Sequence, residues 1–427
     1  MEYALVNGII LNGHEGMDPV TGRAILIDDE GNIADIPVDD GLISGYQKID
    51  LQGKYVMPGL INMHVHLAGN GKPQKKQRDN EKLVKMMFAT HLTSKVTNEL
   101  VNKYAEYELL SGVTTIRTVG GLRDLDTKVR DAINSGSRLG PRILAANEGI
   151  TVEGGHMAGS VAIVANSPEE AMRMVQERAK QGVDLIKIMV TGGVLDAKEK
   201  GQPGELKMDP AIINAVCKEA HRLGFKVAAH VESPEGVRVS LENGVDSIEH
   251  GAVLDDEMIR LFKQNNAFVI TTISPALPYA LFDRSISNAS EVEQFNGQVV
   301  FDGIVECSKQ ALAAGIPVGL GNDVGCPWVS QYDFWRELVY FHKYVGVSNS
   351  FALYTATLRN AQLAGIGDIT GSIDIGKKAE LIVTEKNPLE DLQALRNISM
   401  VIRNGNVIRD PQVKRNKTVD QELDKFL

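Results

Sequence analysis

Two histidines separated by one residue, His64 and His66, are the first residues in the chain whose types and spacing could do chemistry. Alternate side chains of a β-strand point to the same side, so both imidazoles can reach one metal ion. The pair ends an apolar stretch at residues 57–62 that is typical of a buried strand. Alone, such a pair is more often a coincidence than a metal site, so its meaning depends on what the other strands carry.

Potential metal ligands lie on, or directly after, four further predicted strands. Lys187, His230 and His250 belong to three successive strand and helix units, and Asp323 follows the last strand. Taken singly, a buried histidine or a helix-capping aspartate would need no metal to explain it. Ligand types at matching places on five strands predict one metal site, because active sites of α/β barrels are assembled at the C-terminal ends of strands.

Lys187 interrupts an otherwise apolar strand at residues 184–190. A charged amine is costly to bury, and burial lowers its pKa. A neutral amine can react with carbon dioxide to form a carbamate, an anionic ligand whose two oxygens can bridge two divalent metals. The alternative is a lysine that extends out of the strand or pairs with a carboxylate. The surrounding histidines favour the carbamate.

Strand, loop and helix alternate through the middle of the chain. Ser167-Pro168, Asp209-Pro210 and Ser233-Pro234 each combine an N-cap residue with a proline in the first helical turn. Eight strands are predicted, at residues 61–66, 114–118, 142–146, 184–190, 226–230, 246–250, 268–273 and 316–320. This pattern predicts an α/β fold of the TIM (β/α)8 barrel type. An open doubly wound sheet is the alternative.

The sequence pattern at both ends of the chain differs from that of the middle part. It consists of short apolar strands separated by turns that contain Gly, Asn and Asp. We expect residues 1–57 and 370–427 to form one small β-sandwich domain, and residues 58–369 to form the barrel. The stretch 69–97 breaks the alternation after the first strand and is either a lid over the active site or a surface insertion.

The composition excludes several classes of protein. The chain has 427 residues and a formal net charge of -10, with no long basic run, which argues against a nucleic-acid partner or an anionic membrane surface. Its three cysteines, Cys217, Cys307 and Cys326, show no paired spacing. No apolar run is long enough to cross a membrane. We therefore expect a cytoplasmic protein that acts on a small molecule or dipeptide, and we also expect a homo-oligomer.

Several segments together resemble the amidohydrolase superfamily, most closely its prolidase-like dipeptidases and carboxypeptidases and its imidazolonepropionase-like members. These segments are VMPGLINMHVH (56–66), IKIMVTGGV (186–194), AH (229–230), SIEHG (247–251), GND (321–323) and GSIDIGKKAELIV (371–383). The resemblance implies two divalent metal ions, expected to be Zn²⁺, bridged by a carboxylated Lys187. It also implies that His64, His66 and Asp323 bind one ion and that His230 and His250 bind the other.

Two further residues are candidate substrate contacts. His156 follows Glu153-Gly154-Gly155, and the resemblance implies that it polarises the scissile carbonyl; the alternative is a loop histidine without a role. Glu232 stands where the dipeptidases are expected to have a tyrosine. Strand geometry points it into the pocket, where a carboxylate would suit a substrate amine or guanidinium. It could instead bond the next loop. This departure puts an Xaa-Pro preference in doubt.

The other histidines, His14, His91, His221 and His342, are expected to be structural or solvated.

The expected reaction is hydrolysis of the amide bond of a dipeptide or an N-acyl amino acid. In this hypothesis a hydroxide bridging the two metals is the nucleophile, and Asp323 takes its proton and passes it to the leaving nitrogen. A second hypothesis is a one-metal hydrolase or deaminase of a cyclic amide or heterocycle, but those relatives lack the carboxylated lysine, and Ser233 stands where many of them have an acid. A third is a non-catalytic barrel that acts as an assembly protein, although no ligand is missing.

Overall fold

The computed structural model describes residues 2–41, 43–74 and 79–427. The strands, in chain order, are β1 (Tyr3–Val6), β2 (Ile9–Ile10), β3 (Ile25–Ile27), β4 (Ile33–Asp35), β5 (Gln47–Asp50), β6 (Tyr55–Pro58), β7 (Leu60–Val65), β8 (Val113–Thr118), β9 (Arg142–Leu144), β10 (Gly149–Thr151), β11 (Ala162–Val164), β12 (Ile186–Met189), β13 (Val227–Val231), β14 (Ser247–His250), β15 (Phe268–Thr271), β16 (Val318–Leu320), β17 (Leu381–Thr384), β18 (Ile398–Arg403) and β19 (Asn406–Arg409).

The α-helices are α1 (Asn80–Met87), α2 (His91–Leu110), α3 (Leu125–Asn134), α4 (Pro168–Lys180), α5 (Pro210–Arg222), α6 (Pro234–Glu242), α7 (Asp256–Asn265), α8 (Ile273–Leu281), α9 (Arg284–Ser287), α10 (Glu291–Ala313), α11 (Phe334–Tyr340), α12 (Asn349–Tyr354), α13 (Asn360–Leu363) and α14 (Lys417–Leu423). Short π-helices span Phe341–Val345 and Thr355–Arg359, and short 3-10 helices span Leu392–Arg396 and Asp424–Phe426. No helix in the described ranges is both long and apolar enough to cross a membrane.

The eight predicted strands of the middle part correspond to β7, β8, β9 and β12 to β16. The last five of these lie in a seven-stranded sheet of order β11-β10-β12-β13-β14-β15-β16, and β7, β8 and β9 form a second sheet. All neighbouring strands in both sheets are parallel. The fold is therefore α/β with a parallel sheet of seven strands, consistent with a TIM-like barrel.

Backbone hydrogen bonds bring the two sheets together at both of their junctions. The amide of Asp323 donates to the carbonyl of His64 (3.0 Å), and the amide of His66 donates to the carbonyl of Val324 (2.9 Å). At the other junction the amide of Asp184 donates to the carbonyl of Ala145 (2.8 Å). No continuous ladder joins the sheets among the described residues, so the closed eight-stranded barrel stays a prediction.

Two features of this region differ from the sequence prediction. The strand predicted at 268–273 ends at Thr271, because the buried carboxylate of Glu337 accepts the amides of Ile273 (2.5 Å) and Ser274 (2.8 Å) and so satisfies the first turn of α8. The strands β10 and β11 were not predicted. They extend the sheet beside β12, and the segment between them carries His156.

The predicted helix starts are confirmed. The side chains of Ser167, Asp209 and Ser233 accept hydrogen bonds from the backbone amides of Glu170, Ala211 and Gly236. Each of these caps satisfies an amide that the helix leaves unpaired, and each is followed by proline, which has no amide to satisfy.

The two ends of the chain pair with each other. One sheet has the order β4-β3-β1-β5, and the other, β19-β18-β17-β6-β2, combines strands from both ends. The sheets share a buried apolar core that includes Leu5, Ile25, Val56, Leu381 and Ile402. The sandwich architecture and the boundaries 1–57, 58–369 and 370–427 stay predictions.

The stretch 69–97 falls partly outside the described residues, at 75–78. Its described part contains α1 and the first residues of α2. α1 packs against the loop that follows His156, since a Cβ atom at Gly159 would lie 2.9 Å from Cγ of Glu81. Whether this stretch is a lid stays a prediction.

Candidate active site

Four histidines converge at the ends of neighbouring strands. The ring centroids lie 5.3 Å apart for His64 and His66, 4.8 Å for His64 and His250, and 4.7 Å for His230 and His250. Oδ1 of Asp323 lies 3.2 Å from Nε2 of His66 and 3.5 Å from Nε2 of His64. The structure thus brings together five of the residues that the sequence predicts as metal ligands.

The ligand atoms form two overlapping groups. His64, His250 and Asp323 form one, and His230, Glu232 and His250 form the other, with the atoms of each group within 4.8 Å of one another. His250 belongs to both groups, whereas the sequence prediction assigned it to one ion only. The division of the ligands between two ions therefore stays a prediction.

Each imidazole has one nitrogen engaged by the protein, which leaves the other free for an ion. Nδ1 of His64 lies 2.8 Å from Oε2 of Glu249, Nδ1 of His66 lies 2.8 Å from the carbonyl of Gly120, and Nδ1 of His250 lies 2.6 Å from Oγ1 of Thr272. Their free nitrogen is Nε2. For His230 it is Nδ1, because Nε2 lies 3.2 Å from the carbonyl of Gly192.

Burial keeps the imidazoles of His64, His230 and His250 neutral, the form that binds metals. It lowers the pKa of His64 and of His230 well below the usual range, and the pKa of His250 to about 4. Because no proton competes for the free nitrogens at neutral pH, the site suits a divalent cation.

Lys187 lies in β12 with its side chain 1% exposed, and its Nζ has no hydrogen-bond partner among the described residues. Burial lowers the pKa of this amine to about 8, although the carboxylates of Glu249 and Asp323 act in the opposite direction. An unpartnered buried amine is costly in a folded protein. Carbamate formation and metal binding would remove that cost. The environment of Lys187 therefore fits the carbamate and the divalent metals that the resemblance implies.

Asp323 and His250 adopt left-handed backbone conformations, with φ of 55° and 71°. Such conformations are uncommon for residues other than glycine and often occur at functional sites. Gly321 permits the close approach of this segment to β7, because a Cβ atom there would lie 2.5 Å from the amide nitrogen of His64.

The carboxylate of Asp323 is ionised at neutral pH. Its burial acts to raise its pKa, but the neighbouring imidazoles of His64, His66 and His250 outweigh this and hold the pKa well below its usual range.

His156 also lies at this site. Its ring stacks on that of His230, with centroids 4.0 Å apart and planes 6° apart. Nδ1 of His156 lies 2.5 Å from Oδ2 of Asp196, which also accepts the amide of Gly193 (2.9 Å). Asp196 was not predicted from the sequence as a site residue.

Glu232 belongs to the second group, with His230 and His250, and is partly buried. Its Oε2 accepts a hydrogen bond from the amide of Val194 (3.1 Å). Burial raises the pKa of Glu232 well above its usual range, and the charges of Asp196 and Asp323 add to this effect. A cation placed next to Glu232 would relieve this unfavourable environment.

Two charged residues that the sequence analysis missed support His64. Both carboxylate oxygens of Glu249 lie 2.7 Å from Nη2 of Arg117, and Oε1 also accepts the hydroxyl of Ser247 at 2.7 Å. Both side chains are buried. The sequence did carry a signal for this pair. Each charge lies within an otherwise apolar strand, and a buried charge requires a partner of opposite charge.

The remaining histidines are placed as expected for structural or solvated residues. His14 bonds Asp374, His221 bonds Asp246, His342 bonds the carbonyl of Val347, and His91 begins α2.

The α/β fold and the cluster of imidazoles and carboxylates define a hydrolase class in which metal ligands project from strand ends. A family model described as the amidohydrolase family matches residues 55–408, and the chain belongs to this family. The family is typically metal-dependent, and the chain is a hydrolase that acts on C–N bonds.

Individual relatives match almost the whole chain. A solved structure of a protein assigned as a prolidase, from Bifidobacterium longum, is 36% identical with a TM-score of 0.87, covering 99% of this chain and 98% of that one. A Xaa-Pro dipeptidase crystallised with methionine in its active site is 30% identical with a TM-score of 0.83, covering 96% and 100%. Ochratoxinase from Aspergillus niger is 25% identical over 93% of this chain and 85% of its own.

Proposed function

We propose that the protein is a metal-dependent hydrolase that cleaves the amide bond of a dipeptide or an N-acyl amino acid, at a centre of two divalent metals on a closed (β/α)8 barrel. The observation that carries the proposal is the buried amine of Lys187, which has no hydrogen-bond partner among the described residues and lies close enough to His64, His230, His250 and Asp323 to interact with them electrostatically. The similarity to a Xaa-Pro dipeptidase supports a substrate of this size.

Six side chains would hold the metals. His64, His66 and Asp323 would bind one ion, His230 and His250 the other, and the carbamate of Lys187 both. Divalent metals in such a centre lower the pKa of bound water and polarise a carbonyl oxygen. Zn²⁺ suits this set of imidazole and carboxylate ligands.

Asp323 is the proposed general base. Its low pKa keeps the carboxylate ionised, and its Oδ1 faces the free Nε2 atoms of His64 and His66, where the ion would lie. It accepts the proton of the attacking water and returns it to the departing nitrogen.

His156 and Glu232 are the proposed substrate contacts. The bond from Nδ1 of His156 to Asp196 leaves Nε2 free, which can donate to the carbonyl oxygen as negative charge develops. Glu232 would accept a hydrogen bond from a substrate amine or guanidinium, which relieves the unfavourable burial of its charge.

The test is a release assay with the zinc-reconstituted protein on Xaa-Pro, Xaa-Arg and Xaa-Lys dipeptides and N-acyl amino acids. Free amino acid should be released by the wild type. Asp323→Asn should lose most of this activity, about a hundredfold or more, while remaining folded. An Asp374→Asn variant, which changes an exposed aspartate beside His14, serves as the control with unchanged activity.

Measuring the metal content per chain distinguishes this proposal from the hypothesis of a one-metal ring hydrolase or deaminase. Two ions per chain without release from any of these substrates would refute the peptide and N-acyl part of the proposal and favour a cyclic amide or urea. One ion per chain would favour a one-metal ring hydrolase or deaminase.

A further inference from the structure

We propose that the buried ion pair between Arg117 and Glu249 positions His64 and makes the two metal sites unequal, so that the site at His64 fills before the site at His230. This inference rests on the proposed two-metal centre and adds an order of loading to it.

The contacts form a short chain from β8 through β14 to β7. Arg117 projects from β8 and donates from Nη2 to both carboxylate oxygens of Glu249, each at 2.7 Å. Oε2 of Glu249 then lies 2.8 Å from Nδ1 of His64. Nε of Arg117 donates to the carbonyl of Met63 at 2.7 Å, which ties the guanidinium to the strand that carries His64.

This arrangement fixes the tautomer of His64, that is, which ring nitrogen carries the proton. An ionised carboxylate accepts hydrogen bonds only, so Nδ1 of His64 must carry the proton and Nε2 must be the free nitrogen. A carboxylate partner also makes an imidazole a stronger metal donor, and removing such a partner typically weakens metal affinity about 10–100-fold.

The other histidines of the cluster have neutral partners. His66, His230 and His250 bond the carbonyl of Gly120, the carbonyl of Gly192 and the hydroxyl of Thr272. Asp323 also approaches Nε2 of His66, but it does so as one of the proposed ligands. On the nitrogen that faces away from the ligand cluster, only His64 of these four histidines has a carboxylate partner, so the site that contains His64 should hold its ion more tightly.

Arg117 stabilises the negative charge of the buried Glu249 carboxylate. A buried carboxylate without a cation is strongly unfavourable, and the two-pronged contact holds it in one orientation. The remaining oxygen contact is to the hydroxyl of Ser247, at 2.7 Å from Oε1. A lysine could supply the charge, but it could not at the same time reproduce the bonds of Nε to the carbonyl of Met63 and of Nη1 to the hydroxyl of Ser247 that hold the guanidinium in place.

The experiment measures zinc affinity directly. The metal-free wild type is titrated with Zn²⁺ in competition with a chromogenic chelator, and we expect two classes of site that differ about tenfold or more. In Glu249→Gln the tighter site should weaken by about 10–100-fold, and the weaker site should stay within about twofold of its wild-type affinity. His64→Gln should remove the tight site, and His230→Gln should spare it.

Glu380→Gln is the matched control. Glu380 is also buried and also pairs with an arginine, Arg142, at 2.9 Å, but it lies near Arg403 of β18 rather than near a histidine of the site. It should leave both zinc affinities unchanged even where it lowers thermal stability. If Glu249→Gln fails to fold, Arg117→Lys tests the same expectation.

Equal affinities of the two wild-type sites, or Glu249→Gln and Arg117→Lys variants with wild-type affinities, would overturn this inference and leave the two-metal centre standing. A wild type that binds no zinc would overturn the proposed centre itself, so the two failures are distinguishable.

Discussion

The ring of His156 stacks on the ring of His230 at 4.0 Å, with 6° between their planes. His156 lies between β10 and β11, whereas His230 lies in β13, so this contact joins a loop to a strand of the parallel sheet. It places a candidate substrate contact directly against a candidate metal ligand.

The first prediction concerns His156. In His156→Asn we expect turnover to fall about 10²–10³-fold, the usual cost of losing one donor to a developing oxyanion. Zinc content should be unchanged, because His156 supplies no ligand. Steady-state kinetics and metal analysis check this, with His14→Asn as the exposed-histidine control. Loss of zinc would mean that the stack supports His230 instead.

The second prediction concerns the pH dependence of Lys187. Carbon dioxide reacts with the neutral amine, forming a carbamate and releasing a proton. Since burial lowers the pKa of Lys187 to about 8, the reactive fraction of neutral amine rises as the pH increases through about 8, whereas an ordinary lysine would need a pH of about 10.4. At fixed dissolved ¹³CO₂, the carbamate NMR signal of the metal-free protein should rise in this range.

Lys187→Met is the control for this experiment and should lack the signal. The folded protein binds fewer protons at Lys187 than the unfolded chain between pH 8 and 10.5. The contribution of this residue to stability should therefore increase with pH across that window, and the difference between wild type and Lys187→Met should change accordingly. A signal that survives in Lys187→Met would place the carbamate elsewhere.

The third prediction concerns Glu232. For substrates that carry an amine or guanidinium, Glu232→Gln should lower kcat/KM by about 10–100-fold, because a hydrogen bond to a charged group contributes about 1.5–3 kcal/mol. Neutral N-acyl substrates should be affected far less. The two substrate series are compared in one assay. A fall in zinc content would instead identify Glu232 as a ligand, as its place beside His230 and His250 allows.

The fourth prediction concerns removal of the metal. Chelation should lower the melting temperature, because an ion that binds only the folded state stabilises it by about 2.7 kcal/mol per site at a free concentration of a hundred times Kd. Calorimetry with and without chelator measures this. The double variant His64→Asn, His230→Asn should melt at the same temperature in both conditions. An equal shift in this variant would show that the chelator acts elsewhere.

Local signals were sufficient for the helix caps and for the eight predicted strands of the middle part, but not for β10 and β11. Ser167, Asp209 and Ser233 could be identified as caps because a cap and its helix lie within a few residues of each other. The eight strands of the middle part could be located because each is a short apolar run between turns. The end of β15 was missed because Glu337, which caps α8, is 64 residues away from Ile273.

The residues that support the site could not be predicted either, because each bonds a partner that is distant in the sequence. Glu249 contacts His64 across 185 residues and Arg117 across 132. Asp196 contacts His156 across 40. No local pattern identifies such a partner, because a carboxylate in a strand or loop has no preferred sequence separation from the group it will bond.

The sequence by itself determined the residue types at the strand ends and the caps that start the helices, since these depend on local periodicity and on bonds within one turn. The tertiary structure decided which ring nitrogen each histidine presents, and that the amine of Lys187 has no hydrogen-bond partner among the described residues. It also decided that, of the four clustered histidines, only His64 has a carboxylate on the nitrogen that faces away from the ligand cluster. These properties arise only when strands far apart in the chain pack side by side and exclude water, because burial and long-range contacts set both the pKa values and the hydrogen bonds.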